Sequence, residues 1–130
     1  MQLNVTTDYG VRTILHLAQK GGLANRKEIC ENMGIPISSM PAITKALQNA
    51  GIIAEKRGPA GGYILLMNPD DITLGMIVSA FEKTMRLNRC LEDDEYCSRH
   101  APSYCTVRCY LVTMQEAVEE MLSIPITHFI

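Results

Sequence analysis

The segment IIAEKRGPAGGYILLM, residues 52–67, most narrows the folds open to this chain. Two short β-prone runs flank RGPAGG, whose glycines and proline suit a turn, so the segment reads as a hairpin. It follows directly on two short helices. Asn25 can cap RKEICENM, which ends at Gly34; Ser38 or Ser39, with Pro41 in the first turn, starts a second helix that runs to Ala50-Gly51. Between them GIPIS supplies the glycine and short apolar link of a helix-turn-helix. A helix-turn-helix with a hairpin at its exit suits duplex DNA, the second helix entering the major groove and the hairpin acting as a wing. Lys56 and Arg57 lead into that wing, and its small residues allow close approach to a sugar-phosphate backbone.

Helical spacing frames the hairpin on both sides. From Tyr9 the apolar residues Val11, Ile14, Leu15, Leu17 and Ala18 recur at three and four, Asp8 stands where an N-cap belongs, and Gly21-Gly22 ends the pattern. In ITLGMIVSAFEKT, residues Ile72, Met76, Ile77, Ala80 and Phe81 form a core face. Over 106–123, Val107, Leu111, Met114, Val118 and Met121 alternate spacings of four and three, the seam that one helix presents to another or to its own domain, and Pro125 marks the stop.

A chain of 130 residues, 47 % hydrophobic, suits one compact domain with one protruding element. No apolar run reaches the roughly 18 residues of a membrane span, and MQLNVTTDYG lacks a basic stretch followed by an apolar signal core, so a cytoplasmic protein is expected. The net charge of −2 divides unevenly. Residues 1–67 carry seven Lys/Arg against four Asp/Glu, and residues 68–130 five against ten, which leaves the winged half basic. Catalysis lacks its parts: the histidines stand apart at 16, 100 and 128, with no triad or hydrolase spacing and no phosphate loop, so no enzyme is expected.

Four of five cysteines crowd into RCLEDDEYCSRHAPSYCTVRC as Cys90, Cys97, Cys105 and Cys109, separated by six, seven and three residues. Thiolates are soft ligands for iron, and a loop of this kind can fold three sulfurs around one centre. Without glycine, its turns must come from Asp93-Asp94 and Ala101-Pro102. Structural zinc is a weaker alternative, because the short Cys-x2–4-Cys knuckles of such sites are absent. A thiol switch is the stronger one. Cys30, inside a helix beside Ile29, reads as a small buried hydrophobe.

Several of these segments resemble the Rrf2 family of bacterial transcription regulators with its IscR-like and NsrR-like branches: MQLNVTTDYGVR, GIP, RGPAGGYIL, NPDDITLGMIVSAFE and the cysteines, together nearly the whole chain. The resemblance implies a mainly α fold with a small β-hairpin wing. It divides the chain into a winged helix-turn-helix domain over 1–82, a cluster-binding loop over 83–105, and a dimerisation helix with the C-terminal segment over 106–130. It further implies a homodimer on a double-stranded operator, with Ser38, Ser39, Pro41, Ala42 and Lys45 facing bases and Arg57, Pro59 and Gly61 at the minor groove or phosphates. Ser39 stands where many relatives carry tyrosine. By the same resemblance Cys90, Cys97 and Cys105 bind an iron–sulfur cluster, 4Fe–4S in preference to 2Fe–2S, that senses nitric oxide, redox state or iron status and sets the separation of the two recognition helices. For the fourth ligand, IscR-like members use a histidine where this chain has Arg108, which cannot ligate iron. NsrR-like members use an N-terminal aspartate of the other protomer, which Asp8 matches. Cys109 is the alternative, and His100 ranks below both.

Overall fold

In a computed structural model, which describes residues 2–100 and 103–130, five α-helices surround one two-stranded hairpin. Helix α1 is Val5–Lys20, α2 Arg26–Met33 and α3 Met40–Asn49; strands β1 Ile53–Lys56 and β2 Gly62–Leu65 follow, then α4 Leu74–Phe81 and α5 Thr106–Leu122. This is the expected mainly helical fold with a hairpin wing. Asn25 Oδ1 accepts from Glu28 N at 2.8 Å and caps α2 as its sequence position implies. The start of α1 differs from expectation. Asn4 caps it, accepting from Thr6 N at 2.8 Å, so Asp8 lies in the first turn, where its charge still complements the helix dipole.

The strands pair antiparallel from Ile53↔Leu65 to Lys56↔Gly62. Ala24 adds a one-residue third strand: its N–H donates to Tyr63 O at 3.1 Å, and Tyr63 N–H donates to Ala24 O at 2.8 Å. Only glycine fits beside it, since a Cβ on Gly62 would stand 2.5 Å from the Ala24 carbonyl oxygen. The wing base is therefore welded to the connection between α1 and α2.

The core joins Ile14 and Leu17 of α1, Ile29 of α2, Ile43 and Leu47 of α3, Ile53 of β1, and Ile77 of α4. Each fully buried isoleucine or leucine contributes about 1.5–3 kcal/mol. The chain end closes this core. After α5, Leu74 N–H donates to Ile124 O at 3.1 Å, Ile126 N–H donates to Ile72 O at 2.8 Å, and the Ile126 side chain is 0 % exposed.

Helix α5 carries two neighbouring stripes with heptad spacing. Arg108, Leu111, Gln115, Val118 and Leu122 are buried or half-buried against their own chain. Val107, Tyr110, Met114, Ala117 and Met121 are all exposed. The seam expected from sequence splits between them: Val107, Met114 and Met121 face outward, whereas Leu111 and Val118 turn inward. Among the described residues, no helix is long and apolar enough to cross a membrane.

Candidate functional site

The polar face of α3 is the complement of its core face. Met40, Ile43, Thr44 and Leu47 are buried, which leaves Pro41, Ala42 and Lys45 exposed on the opposite side. Ser38 and Ser39 lie in the 3₁₀ turn Ile37–Ser39 that leads into the helix, Ser38 exposed and Ser39 half-buried. At the wing, Arg57 and Pro59 are exposed, and Gly61 N–H donates to Gly58 O at 2.9 Å, closing the turn. A second arginine reaches the wing through β2. Arg26, the first residue of α2, donates from Nε to the Tyr63 hydroxyl at 3.0 Å, and its guanidinium lies 6.0 Å from the ring centroid. A bond at Nε leaves both terminal nitrogens of the fork directed onward. Its position after the Asn25 cap, at the end of a helix-turn-helix helix, was the available sequence signal.

Three of the cysteines line one pocket. Cys90, in the 3₁₀ turn Arg89–Leu91, Cys97, in the loop, and Cys105, the N-cap of α5, enclose with Tyr96, Arg108 and Leu111 a cavity of about 260 Å³. That is well above the ~30 Å³ share of one water. Cys90 Sγ accepts from Asn88 Nδ2 at 3.4 Å, and Cys105 Sγ accepts from Arg108 N at 3.4 Å, so both sulfurs face donors and the second lies at the positive end of α5. Arg108 also donates from Nε to Cys90 O at 3.5 Å and from Nη2 to Glu95 at 3.2 Å, tying the two ends of the loop together. Arg89 forks onto Asp94 and stacks over Tyr96, 5.3 Å from its centroid; the guanidinium holds the Asp94 carboxyl below the usual carboxylate range.

The loop turns where expected at Asp93-Asp94, with Glu95 N–H donating to Glu92 O at 2.9 Å, and Glu95 and His100 adopt positive φ in place of glycine. The turn expected at 101–102 lies outside the described residues. Cys109 is exposed on α5 and does not line the pocket, nor does His100. Asp8 is exposed on α1, paired with Arg12 at 2.7 Å, and does not line the cysteine pocket of its own chain. Cys30 is half-buried, and burial pushes its thiol up.

Among the described residues, no three His, Cys, Asp or Glu side chains stand close enough to share one metal ion. A polyatomic group in which each thiolate takes a different iron would need less convergence of the sulfurs than a single tetrahedral zinc. The N–H groups on the Cys90 and Cys105 sulfurs are donors of the kind that would stabilise thiolates, whereas the Arg89 and Arg108 guanidiniums are already paired with Asp94 and Glu95.

The family model described as Rrf2, iron-dependent transcriptional regulator, matches residues 3–126. The chain belongs to the Rrf2 family. It is similar to the HTH-type transcriptional regulator IscR of Aliivibrio salmonicida, 34 % identical over 92 residues, 69 % of this chain and 55 % of that protein. The chain thus spans little more than half the length of the first curated Rrf2 relatives it matches. It is also similar to the HTH-type transcriptional regulator CymR of Bacillus subtilis, 28 % identical over 124 residues, 94 % of this chain and 83 % of that protein. The solved structure of the B. subtilis CymR, titled the global cysteine regulator, matches with a TM-score of 0.78 at 27 % identity, covering 94 % of this chain and 89 % of that one. These Rrf2 relatives are named as regulators of transcription, a non-catalytic class.

Proposed function

We propose that this Rrf2 protein is a cytoplasmic, homodimeric DNA-binding transcription regulator, a repressor in its simplest form, whose cysteine pocket is the sensor and holds an iron–sulfur cluster. The observation that carries the reading is the convergence of Cys90, Cys97 and Cys105 on one pocket at the N-terminus of a helix whose outer stripe is unpartnered in the single chain. Val107, Tyr110, Met114, Ala117 and Met121 repeat at three and four and, on this reading, pack against the same stripe of a second copy. Each protomer then offers one α3 helix to a half-site, with Ser38, Ser39, Pro41, Ala42 and Lys45 toward the bases and Arg57, Pro59 and Gly61 along the backbone. Arg26 joins the phosphate-facing set.

Cys90, Cys97 and Cys105 would hold the group, with Asp8 of the partner subunit or Cys109 completing it, and 4Fe–4S suits the set over 2Fe–2S. When bound, the cluster supplies a cross-link that oxidants, nitric oxide or iron scarcity can break. The chain supplies the rest. Arg108 and Asn88 orient two of the sulfurs, and the loop connects α4 of the winged part to α5, so a change in loop order bears on the spacing of the recognition helices.

Anaerobic purification followed by absorption spectroscopy and iron and sulfide analysis tests the sensor, and a gel shift of genomic fragments with cluster-loaded and stripped protein tests the output. Iron and sulfide in near-stoichiometric amounts, with different operator affinity in the two forms, are expected. Thiols alone would overturn the cluster. The second reading is a thiol-based regulator, favoured by the likeness to CymR over nearly the whole chain. It predicts iron-free protein whose DNA affinity changes reversibly with oxidant and reductant.

A further inference from the structure

Gln115 stands out on α5 as its one buried residue among those described, 4 % exposed, although its side chain is polar and its helix otherwise faces solvent or half-buried apolar groups. A buried amide is tolerated where its hydrogen bonds are met, and here they are met by the loop backbone. Gln115 Oε1 accepts from Leu87 N at 2.8 Å, and Nε2 donates to Met85 O at 3.0 Å and to Glu119 Oε1 at 3.3 Å. The side-chain amide thus engages the backbone of two alternate residues, 85 and 87, in the loop that follows α4. Arg86, between them, bonds Glu119 at 2.6 Å and fastens the same segment from outside. Three residues beyond Leu87 comes Cys90, whose carbonyl meets Arg108 on the same face of α5.

We infer that Gln115 is the positioning residue of the cysteine pocket: it fixes the register of 85–87 on α5 and thereby sets where Cys90 stands relative to Cys105. The inference rests on the reading of this pocket as the sensor, and it assigns the joint between that sensor and the outer stripe, because Met114 immediately precedes Gln115 and faces outward. A rearranged loop changes the Gln115 bonds that, together with the Arg86–Glu119 and Arg108–Cys90 bonds, hold α5 to it, and a displaced α5 strains the loop at Cys90.

The test compares the parent with Gln115→Leu, which keeps the bulk and removes all three bonds, and Gln115→Glu, which keeps the acceptor for Leu87 N–H while losing the donor to Met85 O and Glu119. Iodoacetamide labelling of the full-length apoprotein, resolved by mass spectrometry, reads Cys90 against Cys30, a cysteine in the distant helix-turn-helix. Labelling at Cys90 should rise about tenfold in Gln115→Leu and less in Gln115→Glu, with Cys30 unchanged. In anaerobically reconstituted protein, the visible absorption should decay several-fold faster in the same order. Equal Cys90 rates in all three proteins would overturn the inference, as would parallel rises at Cys90 and Cys30, which report general loosening. Should Gln115→Leu not fold, Gln115→Glu decides by the same two rates. A parent that binds no iron removes the cluster reading and leaves the labelling comparison able to confirm or sink the positioning role.

Discussion

Tyr63 is only 2 % exposed, and its hydroxyl meets Arg26 in place of water. That bond orders a long cationic side chain before any DNA arrives, which reduces the entropy lost on contact. Arg57 is different: it is exposed at the start of the wing turn, and among the described residues no side-chain bond is seen to order it. Both should neutralise phosphate, so Arg26→Ala and Arg57→Ala should each weaken binding to operator and non-operator DNA alike and lower the salt slope by about one unit. Tyr63→Phe should weaken binding less and leave the slope in place, because the charge remains and only its ordering is lost. Filter binding across a potassium chloride series checks all three, and an unchanged slope for Arg26→Ala would remove that residue from the interface. The same contrast explains what could be read in advance. Cysteine, lysine and wing glycines carry their chemistry in their identity, so Cys90, Cys97, Cys105, Lys45 and Arg57 could be singled out from sequence. Arg26 and Gln115 acquire their roles from groups 37 and 28 residues away, and no local pattern encodes that.

Helix α5 shows how an element can be recognised correctly and faced wrongly. Its length and periodicity were legible, but two adjacent stripes both repeat at three and four, and Leu111 and Val118 are more apolar than the Tyr110 and Ala117 that the structure turns outward. Hydrophobicity alone therefore picked a seam that belongs half to each. Tyr110 is 75 % exposed and Met114 48 %, a large apolar surface for one chain on its own. If the outer stripe is the proposed dimer interface, Met114→Glu should shift the protein to monomer, since a charge there must be desolvated in the pair and is solvated in the monomer. Val118→Ala, on the inner stripe, should leave the association constant nearly unchanged and lower protomer stability by about 1 kcal/mol. Sedimentation equilibrium and thermal unfolding separate the two effects; a stable Met114→Glu dimer would mean that the outer stripe is not the interface. The first helix conceals its start for a related reason. Its opening turn, Val5, Thr6, Thr7, is β-branched and Val5 is exposed, so the amphipathic pattern begins only at Tyr9 and hides the true cap at Asn4.

Across the whole molecule, α1 is the element that touches both ends of the proposed signal path. At one end, Glu82, just past α4 at the entrance to the cysteine loop, accepts from Thr7 Oγ1 at 2.6 Å and Asn4 N at 2.9 Å, and these bonds hold its carboxyl below the ordinary glutamate range. A carboxyl depressed in the folded state stabilises fully above the ordinary value near 4.5 and loses that contribution as pH falls through the depressed one. Glu82→Gln should accordingly lower the unfolding temperature at pH 7 and draw level with the parent in acid. Beside it, Gly10 leaves room for Phe81, whose ring would lie 2.2 Å from an added Cβ. Gly10→Ala should cost about 1–3 kcal/mol by prising α1 from α4, measured by urea unfolding. At the other end, Asp8 bonds Arg12 at 2.7 Å, and Arg12 donates to Met33 O at 3.1 Å, at the close of the first helix of the helix-turn-helix. Asp8 is exposed and open to a second chain, whereas Cys109 sits on α5 outside the pocket that Cys105 lines. The two candidates for a fourth ligand therefore imply different couplings. If Asp8 of the partner subunit completes the set, ligation competes with the Arg12 pair and reaches α2 through it; if Cys109 does, every ligand stays on one chain. Asp8→Ala should then retain part of the iron on three cysteines, shorten the lifetime of the visible absorption under nitric oxide or air, and flatten the accompanying change in operator affinity, while Cys109→Ser changes none of these. The reverse pattern, with Cys109→Ser abolishing the absorption and Asp8→Ala matching the parent in spectrum, lifetime and DNA response, would confine the sensor to a single chain and leave the Arg12 contact a purely structural tie.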